Sequence, residues 1–549
     1  MFKKIICLLL ALTLFVMTGC SSADKKEDTG SQPNSAEAEL TNELQLLYCA
    51  NDTMNPYRTI SKLNAELGLL LFDSLFKYTN NFETVNCLAS GASFEGKAFT
   101  VTLKEAVFSD GSRVTSADVL YSFNLAKESS RFSSYFYEVV SVSAPNSEQI
   151  IFTLNCVDPY FANLLTFPII KEGSDKLKND DNVELVPIGS GRFVFDDKNA
   201  VLIKNESHFE KGGNIKKINL INAPDTESME HYVEIGASDI YFADLTDDSI
   251  ILMDSKKANI NRNNLIYIGI NHNYAQLKAD ELRFAISSAI SRNDIATKAF
   301  YANATPATGF LHPSIDIVSA YQSINPNEDK KISVENLAKI GYNKLNSDRY
   351  YENESGKIIE LTLLVNKSSA SKMSCAQLVA DRLADAGIKV TINAVDKAAY
   401  FSALENGEFQ LYIGEIKLLP NLDMRHLLIS GGSAAYGMVE QKLPEETTDD
   451  TDGKQDTQTE ENEADDNLSE ETPVEPFFDN ETAYISVIEG FYSGANAVTD
   501  LASSLLSSMP VIPLVYRNSL VFYSGEIEDV YSPSYCDIFI SMDKYIVKK

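Results

Sequence analysis

The sequence predicts an α/β protein, and its clearest grounds lie between residues 371 and 413. Over 371–386, Met373, Leu378, Val379, Leu383 and Ala386 fall near one stripe of a helix, and Gly387 supplies a left-handed stop. Ile388, Val390 and Ile392 then alternate as a strand. A helix over 397–405 ends at Asn406-Gly407, and Phe409, Leu411 and Ile413 alternate again. Strand, helix, strand in that order reads as a βαβ unit with a right-handed crossover. A second ground is the mixture of elements elsewhere. Residues 44–49, 150–154 and 201–204 read as strands, while 115–126 carries the marks of a capped helix. There Ser109-Asp110-Gly111 makes a tight turn, Thr115 caps, Asp118 completes a capping-box variant, and Val119, Leu120, Phe123 and Ala126 form the buried stripe. The third ground is bulk. A chain of 549 residues, 44% hydrophobic and 10% aromatic, is long and apolar enough for two or three lobes.

The N-terminus has a separate role. Lys3 and Lys4 lead into an apolar run over 5–16, closed by Met17-Thr18-Gly19-Cys20. A charged start, a short apolar core and a small-residue exit make a secretory signal. The run is too short to span a bilayer, which takes about 20 residues. The closing residues resemble the lipobox of bacterial lipoproteins, with Met17 where Leu is usual. The resemblance implies cleavage before Cys20, lipidation of Cys20, and a mature chain anchored outside the cytoplasm at the cell surface or in the periplasm. Residues 20–41, rich in Ser, Asp, Lys, Glu, Gly and Pro, read as a flexible tether.

Charge and side-chain inventory exclude several functions. A formal net charge of −31 argues against nucleic acid, whose phosphates call for Lys and Arg clusters. The five histidines have no metal-ligand spacing, and no cofactor is implied. No nucleophile elbow, zinc-protease helix or His-centred triad is present, so the chain reads as a non-enzyme. Beyond Cys7 in the signal and Cys20, five cysteines remain without tight spacing. They read as free thiols, with room for one disulfide. Residues 441–476 hold 14 acidic side chains against Lys442 and Lys454 and almost no aliphatic ones, which predicts a disordered insertion in a surface loop.

Three strings carry a family resemblance. The first runs from Phe108 through the Ser-Asp-Gly turn to Phe123, with Phe108 where the family usually has Trp. The second, Pro187-Ile188-Gly189-Ser190-Gly191-Arg192-Phe193, is similar to a Pro-Val-Gly-Thr-Gly-Pro-Tyr turn, with Arg192 in place of the second Pro and glycines that would let the chain turn sharply. The third spans 267–313: Tyr267-Ile268-Gly269-Ile270-Asn271, a helix over 282–290, Arg292-Asn293-Asp294-Ile295, and Ala307-Thr308-Gly309-Phe310-Leu311-His312-Pro313. Shorter matches follow at 338–342, 386–390 and 510–516. Together these resemble the family 5 extracellular solute-binding proteins, the dipeptide-, oligopeptide- and nickel-binding components of ABC importers.

The resemblance implies a two-lobed periplasmic-binding-protein-like fold of type II, similar to cluster C, with an extra α+β domain inserted in the first lobe. Lobe I would comprise 38–80, 187–268 and 505–549, the inserted subdomain 81–186, and lobe II 269–504. A hinge is expected near Gly269-Ile270-Asn271 and Ser504. The implied function is capture of a peptide or similar small solute by lobe closure and delivery, as a monomer, to ABC permease and ATPase subunits. A surface receptor that senses without transport, or an exported hydrolase, is the alternative. The family's Asp for a peptide amino terminus sits in a Gly-Trp-x-Ala-Asp-Tyr-like segment. Here Leu418 stands at the Asp and Glu415 at the Trp. The candidate ligand-binding residues are therefore Glu415 and Asp423 as shifted carboxylates, Asn55 and Tyr57 in the Asn-Pro turn after the first strand, and Asn271 and Phe310 near the hinge. The structural alternatives are that Glu415 pairs with Lys417 or another cation, that Asp423 pairs with Arg425, and that Tyr57 and Phe310 are ordinary core.

Overall fold

The computed structural model describes residues 40–245, 255–315, 328–429, 432–438, 481–525, 527–528, 533–540 and 542–548. The signal segment 1–19, Cys20, the tether as far as 39, and the acidic run 441–476 lie outside the described residues. The chain divides into a short unit, Met1–Leu40 with Lys549, and a large one, Thr41–Lys548. Every element below belongs to the large unit.

Three principal sheets organise it. The first has the order Glu43–Tyr48, Lys217–Asn222, Val201–Lys204, Phe193–Asp196, parallel at its first pair and antiparallel after. The second is an antiparallel sheet ordered Ala89–Glu95, Ala98–Leu103, Gln149–Leu154, Val139–Asn146. Helix Ser116–Glu128 belongs to this part, and Val119, Phe123 and Ala126 are buried as the stripe requires, with Leu120 half-buried. Its cap is the expected one: the Thr115 amide donates to the Asp118 carboxylate at 2.9 Å. Edge-to-face contacts of Phe99, Phe123, Phe152 and Phe161 fill the core beneath.

The third sheet has seven strands, more than either of the others. Its order is Ile240–Ala243, Ile512–Tyr523, Lys256–Ile270, Leu411–Lys417, Glu360–Asn366, Lys389–Val395, with Ala304–Pro306 also on Ile512–Tyr523. The helices predicted in this stretch run Ala370–Asp385 and Lys397–Asn406. Gly387 (φ +84°) and Gly407 (φ +71°) take the left-handed conformation that ends them. One expectation changes. The strands Lys389–Val395 and Leu411–Lys417 are not neighbours, because Glu360–Asn366 lies between them, parallel to both.

Two cross-strand glycines fix how closely Lys256–Ile270 and Leu411–Lys417 pair. Gly269 faces Tyr412 and Gly414 faces Tyr267 in the register. A Cβ on Gly269 would lie 1.9 Å from the Tyr412 ring, and one on Gly414 2.4 Å from the Tyr267 ring. The two tyrosines lie over the bare backbone opposite and bring their hydroxyls to 3.2 Å. Gly189 and Gly191 serve a related need. The expectation that they make a sharp turn gives way to a packing reason, since a Cβ on either would strike the Leu71 backbone, at 2.1 and 2.3 Å.

Beside this turn lies a buried charge network. Asp537 accepts from Arg192 at 2.8 Å and from Lys77 at 2.8 Å. Asp73 accepts from Ser190 Oγ at 2.9 Å and lies 3.4 Å from His208 Nε2. Arg192, the departure from the family's Pro, thus ties the turn to the C-terminal segment. Burial pushes both carboxyls up, but their partners outweigh it: Arg192 and Lys77 hold Asp537 below the usual range, and His208, Lys77 and Ser190 bring Asp73 down to about 2.

The network generates a prediction. Asp537→Asn strands two cations and should cost about 3–5 kcal/mol in urea unfolding at pH 7. Because both carboxyls titrate lower folded than unfolded, their contribution is present above pH ~4. It is lost as pH falls toward 2, Asp73 alone losing roughly 2 kcal/mol.

Candidate functional site

The described residues line a cavity of about 70 Å³ where separate stretches of chain meet. Pro56, Lys77 and Tyr78 come from the segment after the first strand, and Arg131, Phe132 and Tyr135 from beside the second sheet. Lys417 comes from the end of Leu411–Lys417, and Tyr535 and Cys536 from the C-terminal segment. The Tyr535 ring sits among cations: Arg262 lies 3.9 Å and Lys417 5.4 Å from its centroid. Burial acts to raise its pKa, but Lys417, Arg262 and Arg131 prevail and hold the phenol below its ordinary value. A second cavity, of about 510 Å³, opens beside Leu411–Lys417 and is lined by Tyr267, Ser369, Lys372, Tyr400, Glu415 and Tyr436.

The six candidate residues do not converge on one place. Glu415 lines the second cavity, but its carboxylate is engaged three ways: Lys372 at 2.6 Å, Asn264 Nδ2 at 2.7 Å and Arg517 at 3.2 Å. Its partners are thus other cations than Lys417. Asp423 is buried and held in a fork by Arg425, at 3.0 Å from Nε and 2.7 Å from Nη2. Asn55 is buried and accepts from the Tyr57 amide. Tyr57 stands behind the wall of the first cavity, edge-on to Phe132, its hydroxyl donating to the Pro168 carbonyl. Asn271 is fully buried and donates to the carbonyls of Gly407 and Phe409. Phe310 belongs to an apolar cluster with Tyr78 and Phe82. Sequence reasoning missed the cavity residues Arg131, Lys417 and Tyr535. Lys417 was within reach, being one position before the substituted Leu418.

Segments that follow or flank the second and third sheets meet through polar groups. Asn421 Nδ2 donates to Asp158 at 2.7 Å, Asn163 Nδ2 to the Pro420 carbonyl at 3.1 Å, and Arg425 pairs with Glu138 at 2.8 Å. Burial raises the Asp158 pKa to about 6, against the opposing pull of Asn421, the Tyr160 amide and Arg425. The five described cysteines are free thiols. Burial brings His272 and His312 down to about 3, so both are neutral core groups. Among the described residues no group of three or more His, Cys, Asp or Glu side chains could hold a metal, and no helix is long and apolar enough to cross a membrane.

The sequence model of the bacterial extracellular solute-binding proteins, family 5 Middle, matches residues 83–421. The chain belongs to this family. Its members are solute-binding proteins of ABC importers rather than enzymes. Curated relatives include the glutathione-binding protein GsiB of Salmonella paratyphi A, 25% identical over 365 residues, covering 63% of this chain and 67% of that protein. GsiB of Escherichia coli K12 is 24% identical over 363 residues, with the same shares. Solved structures show the same fold at low identity. The periplasmic murein tripeptide-binding protein MppA, in its unliganded open form, matches with a TM-score of 0.69 and 15% identity, covering 93% of this chain and 99% of that one. A putative peptide-binding protein, AppA from Clostridium difficile, gives 0.64 and 18%, with 92% and 100% covered. NikA from Brucella suis, in complex with Fe(III)-EDTA, gives 0.63 and 14%, with 92% and 100% covered. The expected two-lobed α/β architecture is therefore the one this chain has.

Asp158 gives this subsection its prediction. Its folded pKa lies above the unfolded value near 3.9. The group therefore favours the folded chain fully below pH ~4 and progressively less up to about 6, with no further change above. Asp158→Asn should remove that slope between pH 4 and 6 in the urea midpoint.

Proposed function

We propose that this chain is a lipid-anchored, extracytoplasmic binding protein that captures peptides or similar small solutes by lobe closure and passes them to an ABC permease and its ATPases. The observation that carries the reading is the first cavity, which draws walls from separate parts of the fold. In the proposed division, 38–80, 187–268 and 505–549 form lobe I, 81–186 its inserted subdomain and 269–504 lobe II. Tyr535 then belongs to lobe I, Arg131 to the subdomain and Lys417 to lobe II. The cavity, about 70 Å³ in this arrangement, has room for one chemical group of a cargo; a group held there contacts all three parts, so binding favours the shut arrangement by its differential contacts. The relatives named for glutathione and murein tripeptide support a peptide-like cargo.

The hinge is best placed where the long strands change register. Lys256–Ile270 and Ile512–Tyr523 pair continuously up to Asn261 with Asn518, then resume at Leu265 with Tyr516. Three residues, Arg262 to Asn264, bulge between. The earlier expectation at Gly269-Ile270-Asn271 and Ser504 fits less well, because Gly269 lies in unbroken register with Tyr412 and Ser504 lies inside helix Val498–Ser508. Bulges bend and twist strands without breaking the chain's path, which suits a hinge.

The N-terminal signal ending in Cys20 supports membrane anchoring through lipid. The mature protein made in a bacterial host should partition with membranes, and Cys20→Ser should move it to the soluble fraction. A thermal-shift screen of glutathione and di- to pentapeptides should find a binder that, at one hundred times its dissociation constant, stabilises the fold by about 2.7 kcal/mol. Mass spectrometry should recover that binder intact. A cleaved or otherwise altered product would refute the binding reading.

A further inference from the structure

Two cations in the first cavity lack an anionic partner. Arg131 and Lys417 are both exposed within its walls. Among the described residues neither side chain makes an ion pair within 4.0 Å or donates a hydrogen bond. Arg131 rests against the Phe132 ring at 5.4 Å, and Lys417 against Tyr535 at 5.4 Å. Their neighbours are not short of anions in the same way. Arg262 pairs with Asp244 at 3.3 Å, and Lys77 with Asp537 at 2.8 Å. Arg131 acts on Glu66 through space without pairing with it; Glu66 lines a different cavity, and burial drives its pKa up against the pull of Arg131. In a chain of net charge −31, these two cations meet at one gap from separate parts of the fold.

Their placement also inverts the expected chemistry. The position where the family carries an amine-binding Asp is Leu418, which is buried, and the exposed residue beside it is Lys417. The two carboxylates that might have stood in, Glu415 and Asp423, are each matched by cations of their own. No described carboxylate faces this cavity unpaired, so it suits an anion and repels an ammonium group.

We propose that Arg131 and Lys417 form a clamp for a carboxylate, so that this chain selects peptide-like cargo by a free carboxylate rather than by its amino terminus. The inference rests on the peptide-binding reading above. Arg131 offers a planar fork matching two carboxylate oxygens, and Lys417 a mobile point charge from the facing lobe. Closure would bring the two onto one ligand group, making the carboxylate a bridge between lobes.

The test uses the full mature chain and four pools of tripeptides: free at both ends, N-acetylated, C-amidated, and C-amidated with one Glu side chain. Equilibrium dialysis with mass detection reads retention. Acetylation should leave affinity within about twofold, and amidation should lower it at least tenfold, or about 1.4 kcal/mol. Arg131→Gln and Lys417→Gln should each weaken the free-acid pool about tenfold, with melting temperatures of the empty protein unchanged because both residues are exposed. Retention of the Glu-containing amides alone would support the clamp and assign it to a side-chain carboxylate. Amidated, Glu-free peptides bound as tightly as free acids would overturn the clamp and leave the peptide reading standing. Retention of no pool would overturn both.

Discussion

The pairing of Lys256–Ile270 with Ile512–Tyr523 holds the rest of the molecule together. All twelve residues of Ile512–Tyr523 are buried, and so are nine of the last ten of its partner's fifteen. One end of this ribbon carries Ile240–Ala243, and its other flank carries Leu411–Lys417 and the two strands beyond. Backbone hydrogen bonds are obligatory in such a place, because a buried amide or carbonyl without a partner is costly. The ribbon's register is interrupted between Asn261 and Leu265, where the proposed hinge lies. In the proposed closure, the sheet stays continuous and the register break takes up the bend.

Around the ribbon, charge is distributed by burial. Three carboxylates are matched by cations, Asp537 by Arg192 and Lys77, Glu415 by Lys372 and Arg517, Asp423 by Arg425, while buried Asp158 is held by Asn421 and its pKa rises. An unmatched charge there would carry most of its desolvation cost. Among the described residues Arg131 and Lys417, beside Tyr535, have no carboxylate partner of this kind, and they lie where solvent or a ligand can reach them. Under the proposed lobe closure, these groups would wait for a partner on a surface that opening uncovers.

Local features were legible in the sequence, and long-range ones were not. The Thr115 cap, the stop at Gly387 and the helices of the 371–406 stretch depend on neighbours within a few residues, and all stand where expected. Only 267–271 of the central strand was readable. Its first half, Lys256-Lys257-Ala258-Asn259-Ile260-Asn261-Arg262, is polar in pattern and is a strand because Ile512–Tyr523 lies against it. Glu360–Asn366 went unread, although it separates two strands that sequence order suggested were neighbours. The family likeness revealed that the amine-binding Asp was missing. It could not show that Glu415 was already held by Lys372, more than forty residues earlier, and by Arg517, about a hundred later. Arg192 looked like a departure from a turn motif and is a link to Asp537. Such roles depend on which distant segments meet.

The central claim is that two lobes shut on their cargo about the bulge at Arg262–Asn264. Small-angle X-ray scattering of the mature chain, alone and saturated with a retained peptide, tests it most directly. The account predicts a smaller radius of gyration and a shorter maximum dimension when the peptide is bound. Identical scattering curves with the site demonstrably filled would contradict it.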